Sequence, residues 1–256
     1  MTVTEAAGLA VAAAAAGIIN SVAGGGTIVS FPVAVALGLP PITANATNAV
    51  ALTPGSIASA FAYRRELHQD RDVLRLFLPP AAVGAVLGAL LLLLTPQKVF
   101  DAIIPVLVFF TSLLLLVQNL RRPAHPPAAT AEWRVPQRPI FAVLLQLAIG
   151  VYGGYFGGGM GIMMLALLGR MGGTDIHRMN GVKSVLGAAI NGVAAIAFLV
   201  AGTVDGVAAV IMSAGAILGG FAGAAVARKV RPLVVRWLVV VIGFALTVAL
   251  AYRRWG

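Results

Sequence analysis

The stretch IINSVAGGGTIVSF, residues 18–31, sets three consecutive glycines inside an apolar run, and a related stretch, IGVYGGYFGGGMGIMML, follows at residues 149–165. The apolar character around them extends from about Ala6 to Leu39 and from about Ile140 to Gly169. Each is near thirty residues long, whereas one membrane crossing by a helix takes roughly 20. A helix that breaks at the glycines and turns back fits this length better than a straight rod. Glycine suits the break because it accepts left-handed backbone angles and allows close approach of another backbone or an ion. Main chain opened by such a break is tolerated at membrane depth only where it is buried in protein or lines a cavity.

Composition places the rest of the chain in the same setting. Hydrophobic residues make up 60% of the sequence and charged residues 10%, against about 25% charged in a soluble domain. Six further apolar spans are read at about 43–63, 76–95, 99–120, 182–202, 206–227 and 232–252. The start, MTVTEAAGLAVAAAAAG, has no basic segment before its apolar run and reads as retained rather than as a cleaved signal peptide. The sequence contains no cysteine, which excludes disulfides, thiolate metal sites and cysteine nucleophiles. The expected fold is an all-α polytopic membrane protein of two inverted repeats, each a broken re-entrant (V-shaped) helix pair plus three transmembrane helices.

The net charge of +10 is carried by short clusters between the apolar spans, a pattern of membrane orientation rather than of nucleic-acid binding. If each glycine-broken segment enters and leaves on one face, 15 of the 18 Lys and Arg residues fall on one side, among them Arg64, Arg65, Arg71, Arg75, Arg170 and Arg178. Lys98, Arg253 and Arg254 fall opposite. Were both segments full crossings, the split would be 10 against 8 and would carry no orientation. The positive-inside rule therefore favours the hairpins, with both termini periplasmic and the Arg-rich loops cytoplasmic. The polar, proline-rich stretch RRPAHPPAATAEWRVPQR, residues 121–138, reads as a cytoplasmic linker between a first membrane repeat (1–120) and a second (139–256).

The repeat continues past the glycines. NATNAV at 45–50 matches NGVKSV at 180–185, offset by 135 where the glycine triplets are offset by 133; two inserted residues near Gly172 and Gly173 reconcile them. Discontinuous helices in inverted repeats are a recurrent plan of secondary transporters. The half-helices that begin near Thr27 and Met160 would each present about half a positive charge, and two such ends meeting from opposite faces would hold an anion. In the order, duplication and spacing of these motifs over essentially its whole length, the chain resembles the TauE/SafE family of sulfite and organosulfonate exporters. The resemblance implies a carrier in the bacterial inner membrane that exports a small sulfur-containing anion along an ion gradient; composition and spacing by themselves support an anion carrier.

The expected substrate-binding residues are Asn20, Gly24, Gly25, Gly26 and Thr27 in the first break, Tyr155, Gly157, Gly158 and Gly159 in the second, and Asn45, Asn48, Asn180 and Lys183 in the segments that follow. Plainer roles stand beside these. The glycines could serve close helix packing, the role assigned here to Gly84, Gly88, Gly215, Gly219, Gly220 and Gly223. The asparagines could be ordinary helix caps. Lys183, whose charge within a span costs about 2.5–3.5 kcal/mol unless it faces water or a partner, could instead snorkel to the cytoplasmic surface. Ser21, Ser30, Tyr152, Ser184 and Asn191 complete the polar set. The second repeat has Gly153 or Gly154 near the place of Asn20, so the site need not be symmetric.

All eight carboxylates fall in loops or at span ends, which leaves no acidic proton relay at mid-membrane. Coupling to protons, if used, would run through His177, Lys183, water or the anion. No cofactor or metal is expected: His68, His125 and His177 lie in separate loops without ligand spacing, there is no phosphate-binding loop, and the serines lack a base. An intramembrane enzyme is therefore disfavoured, while a passive anion channel shares the half-helix site and stays open as an alternative. The partners expected are the anion and membrane lipid.

Overall fold

The computed structural model describes residues 1–120, 139–173, 175–229 and, near the C-terminus, 237, 239–245, 247–248 and 252. The linker at 121–138 and most of the last span at 232–252 lie outside the described residues. All regular structure among the described residues is helical: α1 (Val3–Val22), α2 (Thr27–Ala36), α3 (Pro41–Ala62), α4 (Arg71–Leu94), α5 (Gln97–Leu120), α6 (Ile140–Tyr155), α7 (Met160–Arg170), α8 (Ile176–Val200) and α9 (Gly206–Lys229), with one 3-10 turn at Glu66–Gln69. Residues 239–245 are also helical. Among these, α1, α4, α5, α8 and α9 are long and apolar enough to cross a membrane, and the chain is a multi-pass membrane protein.

Local chemistry sets several helix ends. Thr2 and Glu5 form a capping box at the start of α1, with Thr2 N–H donating to Glu5 Oε2 over 2.7 Å. Asp175 caps α8 by accepting from the amides of His177 and Arg178. Asp205 accepts from Ala208 N–H ahead of α9, while its own amide donates to Thr47 in α3. Two spans begin earlier than hydropathy suggests: α4 at Arg71 rather than residue 76, and α8 at Ile176 rather than 182. Their first turns carry polar residues that hydropathy discounts, Arg71 and Asp72 in α4 and His177 and Arg178 in α8, the latter behind the Asp175 cap.

Packing joins the two halves of the chain. The Ala-rich α1 lies against α9, and α6 lies against α4, both through glycines that bring backbone onto backbone. A Cβ at Gly215 or Gly219 would overlap the carbonyl of Ala10 or Ala14, and one at Gly223 would meet Ser21 and Ile18. Gly220 packs on Gly55 of α3. On the other side, Gly84 and Gly88 face the carbonyls of Leu147 and Val151, and Gly154 faces that of Ala85. These are the glycines assigned to packing from the sequence, and Gly215, Gly219 and Gly223 meet α1 of the same chain. Such contacts replace the missing hydrophobic drive between helices in lipid by dense van der Waals packing.

The first helix pair differs in proportion from a symmetric V. α1 has 20 residues, enough to cross alone, and α2 has 10. The pair nonetheless returns toward its start, since Gly8 near the beginning of α1 lies 3.7 Å, measured from an added Cβ, from Leu37 Cδ1 just after α2.

Candidate functional site

Between α1 and α2, Gly24 and Gly25 have φ of 80° and 91°, angles that an L side chain adopts only with strain. The amides of Ala23 and Gly24 close onto Ile19 O, and Gly26 N–H donates to Asn20 Oδ1 over 2.8 Å. Ile28 and Val29 amides donate to Gly25 O and Gly26 O. The start of α2 is thus less open than the sequence reading supposes: Asn20 and the turn itself take up several of the amides expected to face an anion. Between α6 and α7, Gly157 and Gly159 have φ of 75° and 82°, and Thr111 of α5 donates to Gly158 O at 2.9 Å.

The two breaks meet. The Gly24 backbone lies against Gly161 and Ile162 at the start of α7, and Gly157 faces Thr27 and Asn191, 3.9 and 3.8 Å from an added Cβ. Each break is also held by an asparagine from the opposite half. Asn45 Nδ2 donates to the carbonyl of Tyr155, the last residue of α6 (2.9 Å), and Asn180 Nδ2 donates to that of Val22, the last residue of α1 (3.3 Å). The asparagines are therefore not caps of their own helices, which start at Pro41 after Pro40 and at Ile176 after Asp175. They occupy orphan carbonyls at the ends of interrupted ones, groups that would be costly to leave unpaired in a membrane.

Beside the first break lies a small cavity of about 30 Å³ lined by Asn20, Gly24, Ser56, Ser59, Met160, Gly161, Met164, Lys183, Ser184 and Gly187. Lys183 is 4% exposed, with Nζ donating to Ser21 O (3.2 Å) and to Asn180 Oδ1 (2.7 Å). Snorkelling to the surface is thus not its role here: two turns into α8, it points inward. A chain of hydroxyls runs past it. Ser184 donates to Asn180 O at 2.7 Å, and Ser59 lies 2.9 Å from both Ser184 and Ser21. With Ser184 committed as a donor, Ser59 donates to Ser184 and Ser21 donates to Ser59. Among the described residues, no Asp or Glu lines this cavity.

The sequence-derived residues divide accordingly. Asn20, Gly24 and Lys183 line the cavity, and Asn180 orients Lys183. Gly25 faces the side chains of Ile162 and Ile28, and Gly26 is packed on the Ala16 backbone, so both serve the turn. Asn48 is bonded to Thr27 and Ser30 at 3.3 and 2.6 Å and Asn45 to Tyr155 O, while Gly158 and Gly159 pack on Phe156 and Thr111; these residues and Gly157 are not among those that line the cavity. Ser56, Ser59, Met160, Gly161, Met164 and Gly187 were missed. A signal existed for some of them: Asn45, Asn48, Ser56 and Ser59 follow one face of α3, as Asn180, Ser184, Gly187 and Asn191 follow one face of α8.

Packed side chains flank the region at both ends. On the side of the Arg64 and Arg65 loop, fully buried Tyr63 lies beneath Ser21, and Asp70 pairs with Arg178. On the opposite side, a vestibule of about 450 Å³ between α2, α3 and α5 ends on Phe31, whose ring meets Phe156 edge to face at 5.5 Å.

This arrangement spans the region matched by the sequence profile described as sulfite exporter TauE/SafE, which covers residues 9–250. The chain belongs to the TauE/SafE family. It is 30% identical over 244 residues to a probable membrane transporter protein, ORF9, of Sinorhizobium sp., covering 94% of this chain and 90% of that protein. It is also 25% identical over 241 residues to a probable membrane transporter protein of Haemophilus influenzae, covering 93% and 91%. A similar relation, 25% over 241 residues with 94% and 87% covered, holds with the probable membrane transporter protein YfcA of Escherichia coli K12. No solved structure matches the chain.

Proposed function

We propose that this TauE/SafE family member is a secondary transporter that exports a small sulfur-containing anion, sulfite or an organosulfonate, across the bacterial inner membrane. The observation that carries this reading is the Lys183 cavity. It sets a buried ammonium among hydroxyls and an amide, beside the place where the two helix interruptions meet. A buried ammonium beside hydroxyl and amide donors is a favourable setting for an oxyanion, which would accept hydrogen bonds and carry the opposite charge. The ammonium donates to Asn180 Oδ1 and Ser21 O, which hold it at the cavity.

The halves are read as inverted repeats. The reciprocal pairs support this: Asn45 on Tyr155 O with Asn180 on Val22 O, and α1 on α9 with α6 on α4. Under that reading the Arg-rich ends face the cytoplasm, the start of α1 faces the periplasm, and Lys183 replaces Asn48 as the one charged member of the paired positions. The packing of Tyr63 and the Asp70–Arg178 pair at one end, and of Phe31 on Phe156 at the other, supports reading these groups as the gates of an alternating-access carrier. Proton coupling would run through Lys183 or the anion.

The test is uptake into proteoliposomes of known orientation. Radiolabelled sulfite should accumulate against its gradient when a proton gradient is imposed, and Lys183→Gln should reduce the rate at least tenfold at equal reconstitution. Transport by Lys183→Gln at the wild-type rate removes Lys183 from the site, and flux that only equilibrates supports the channel.

A further inference from the structure

We infer that Met160, Met164 and Gly187 set the size of the ligand, so that this chain takes a bare oxyanion, such as sulfite, in preference to a sulfonate carrying a carbon chain. The inference rests on the reading of the Lys183 cavity as the anion site. The cavity has two unlike walls. One is polar: Lys183, Ser56, Ser59, Ser184 and Asn20. The other is formed by Met160 and Met164, one turn apart on α7, with Gly187 of α8 leaving ordinary contact space beside Met160.

The volume of about 30 Å³ is room for about two water molecules by the same measure. A four-atom anion is close to that scale after small side-chain shifts, whereas an added chain of carbons must displace the thioether wall. That wall is well backed. Met164 is fully buried and Met160 is 8% exposed; Met160 Sδ would lie 2.8 Å from a Cβ at Gly153, so it has little space to withdraw toward α6. Methionine adapts its shape through three rotatable bonds, which permits the small adjustment without opening a larger space.

Gly187 provides a test in the opposite direction. An added Cβ there would meet Met160 Cε at 3.8 Å and Ser56 Oγ at 3.9 Å, ordinary contact distances. Gly187→Ala therefore puts a methyl group into the cavity without a backbone clash, and alanine favours the helix over glycine. The protein should fold at least as well while losing room for the anion. Met160→Ala and Met164→Ala should instead enlarge the cavity.

The experiment uses purified full-length protein in detergent and measures thermal stabilisation against sulfite and ethanesulfonate, with chloride as control, since a ligand that binds the native state raises apparent stability. The wild type should respond to sulfite at a concentration at least tenfold below that needed for ethanesulfonate. Gly187→Ala should melt at or above the wild-type temperature without ligand and require at least tenfold more sulfite. Met160→Ala or Met164→Ala, whichever folds, should narrow the preference to under threefold. Wild-type preference for ethanesulfonate, or unchanged sulfite binding by folded Gly187→Ala, overturns the inference while a sulfite response lost in Lys183→Gln leaves the anion site standing. No response of the wild type to either anion refutes the site reading and the inference with it.

Discussion

The two partners of the Asp70–Arg178 pair should respond unequally to single substitution. Arg178 Nε and Nη2 donate to the two carboxylate oxygens of Asp70, at 3.3 and 2.5 Å, in a forked geometry. The side chains are buried to different degrees, with Asp70 1% and Arg178 22% exposed. Removing one partner of a buried pair costs about 3–5 kcal/mol because the other charge is left uncompensated. Arg178→Gln strands the carboxylate with almost no water and should fall in that range. Asp70→Asn leaves a guanidinium that still reaches solvent, so its cost should be smaller, about 2 kcal/mol, on the same argument. The double variant strands no charge and should cost less than the two single changes together by about 2 kcal/mol, within the range for contacting residues. The assay is reversible unfolding in mixed micelles by titration with sodium dodecyl sulfate, followed by tryptophan fluorescence. Additive costs would refute the coupling, and a larger cost for Asp70→Asn than for Arg178→Gln would refute the burial argument. The pair joins the start of α4 to the start of α8, so its loss loosens the contact between the two halves of the chain.

Two further changes test the glycine geometry by the same unfolding assay. Gly219→Ala should destabilise by about 1–3 kcal/mol, because its Cβ would overlap the Ala14 carbonyl in α1, whereas Gly8→Ala, with only Leu37 Cδ1 at 3.7 Å, should be neutral or stabilise by up to about 1 kcal/mol; equal effects would refute the close approach of α1 and α9. Gly157→Ala should cost about 1–2 kcal/mol through backbone strain alone, since its φ is 75° while the nearest atom to an added Cβ is 3.4 Å away; a neutral Gly157→Ala would show that the second break does not need a left-handed residue there.

Much of the fold was legible in the chain, for reasons local to it. The lengths of the apolar runs, the tripled glycines and the scarcity of charge required a polytopic helical protein, because backbone groups in lipid must be satisfied within helices. The glycines at 84, 88, 215, 219, 220 and 223 declared close packing by their helical spacing, and the NATNAV and NGVKSV segments pointed to the asparagines that hold the two breaks. Family membership followed from the order and spacing of these same motifs. The site was legible only in outline. Lys183 and Asn20 could be singled out as polar residues in apolar surroundings, but their partners could not be named, since Ser21 O, Val22 O and Tyr155 O are main-chain groups that carry no sequence signal. Ser59 and Ser184, 125 residues apart, become one hydroxyl chain only when α3 packs on α8. Hydropathy could not tell whether Lys183 turns to the surface or inward, because the answer depends on a vacancy between α1, α7 and α8 rather than on its own helix. The sequence thus determined which segments enter the membrane and where the helices must yield, properties fixed by local backbone and transfer energetics. Tertiary structure decided which polar groups meet, that the asparagines serve the opposite half, and that two methionines close the wall beside Lys183, because these depend on distances across helices distant in the chain.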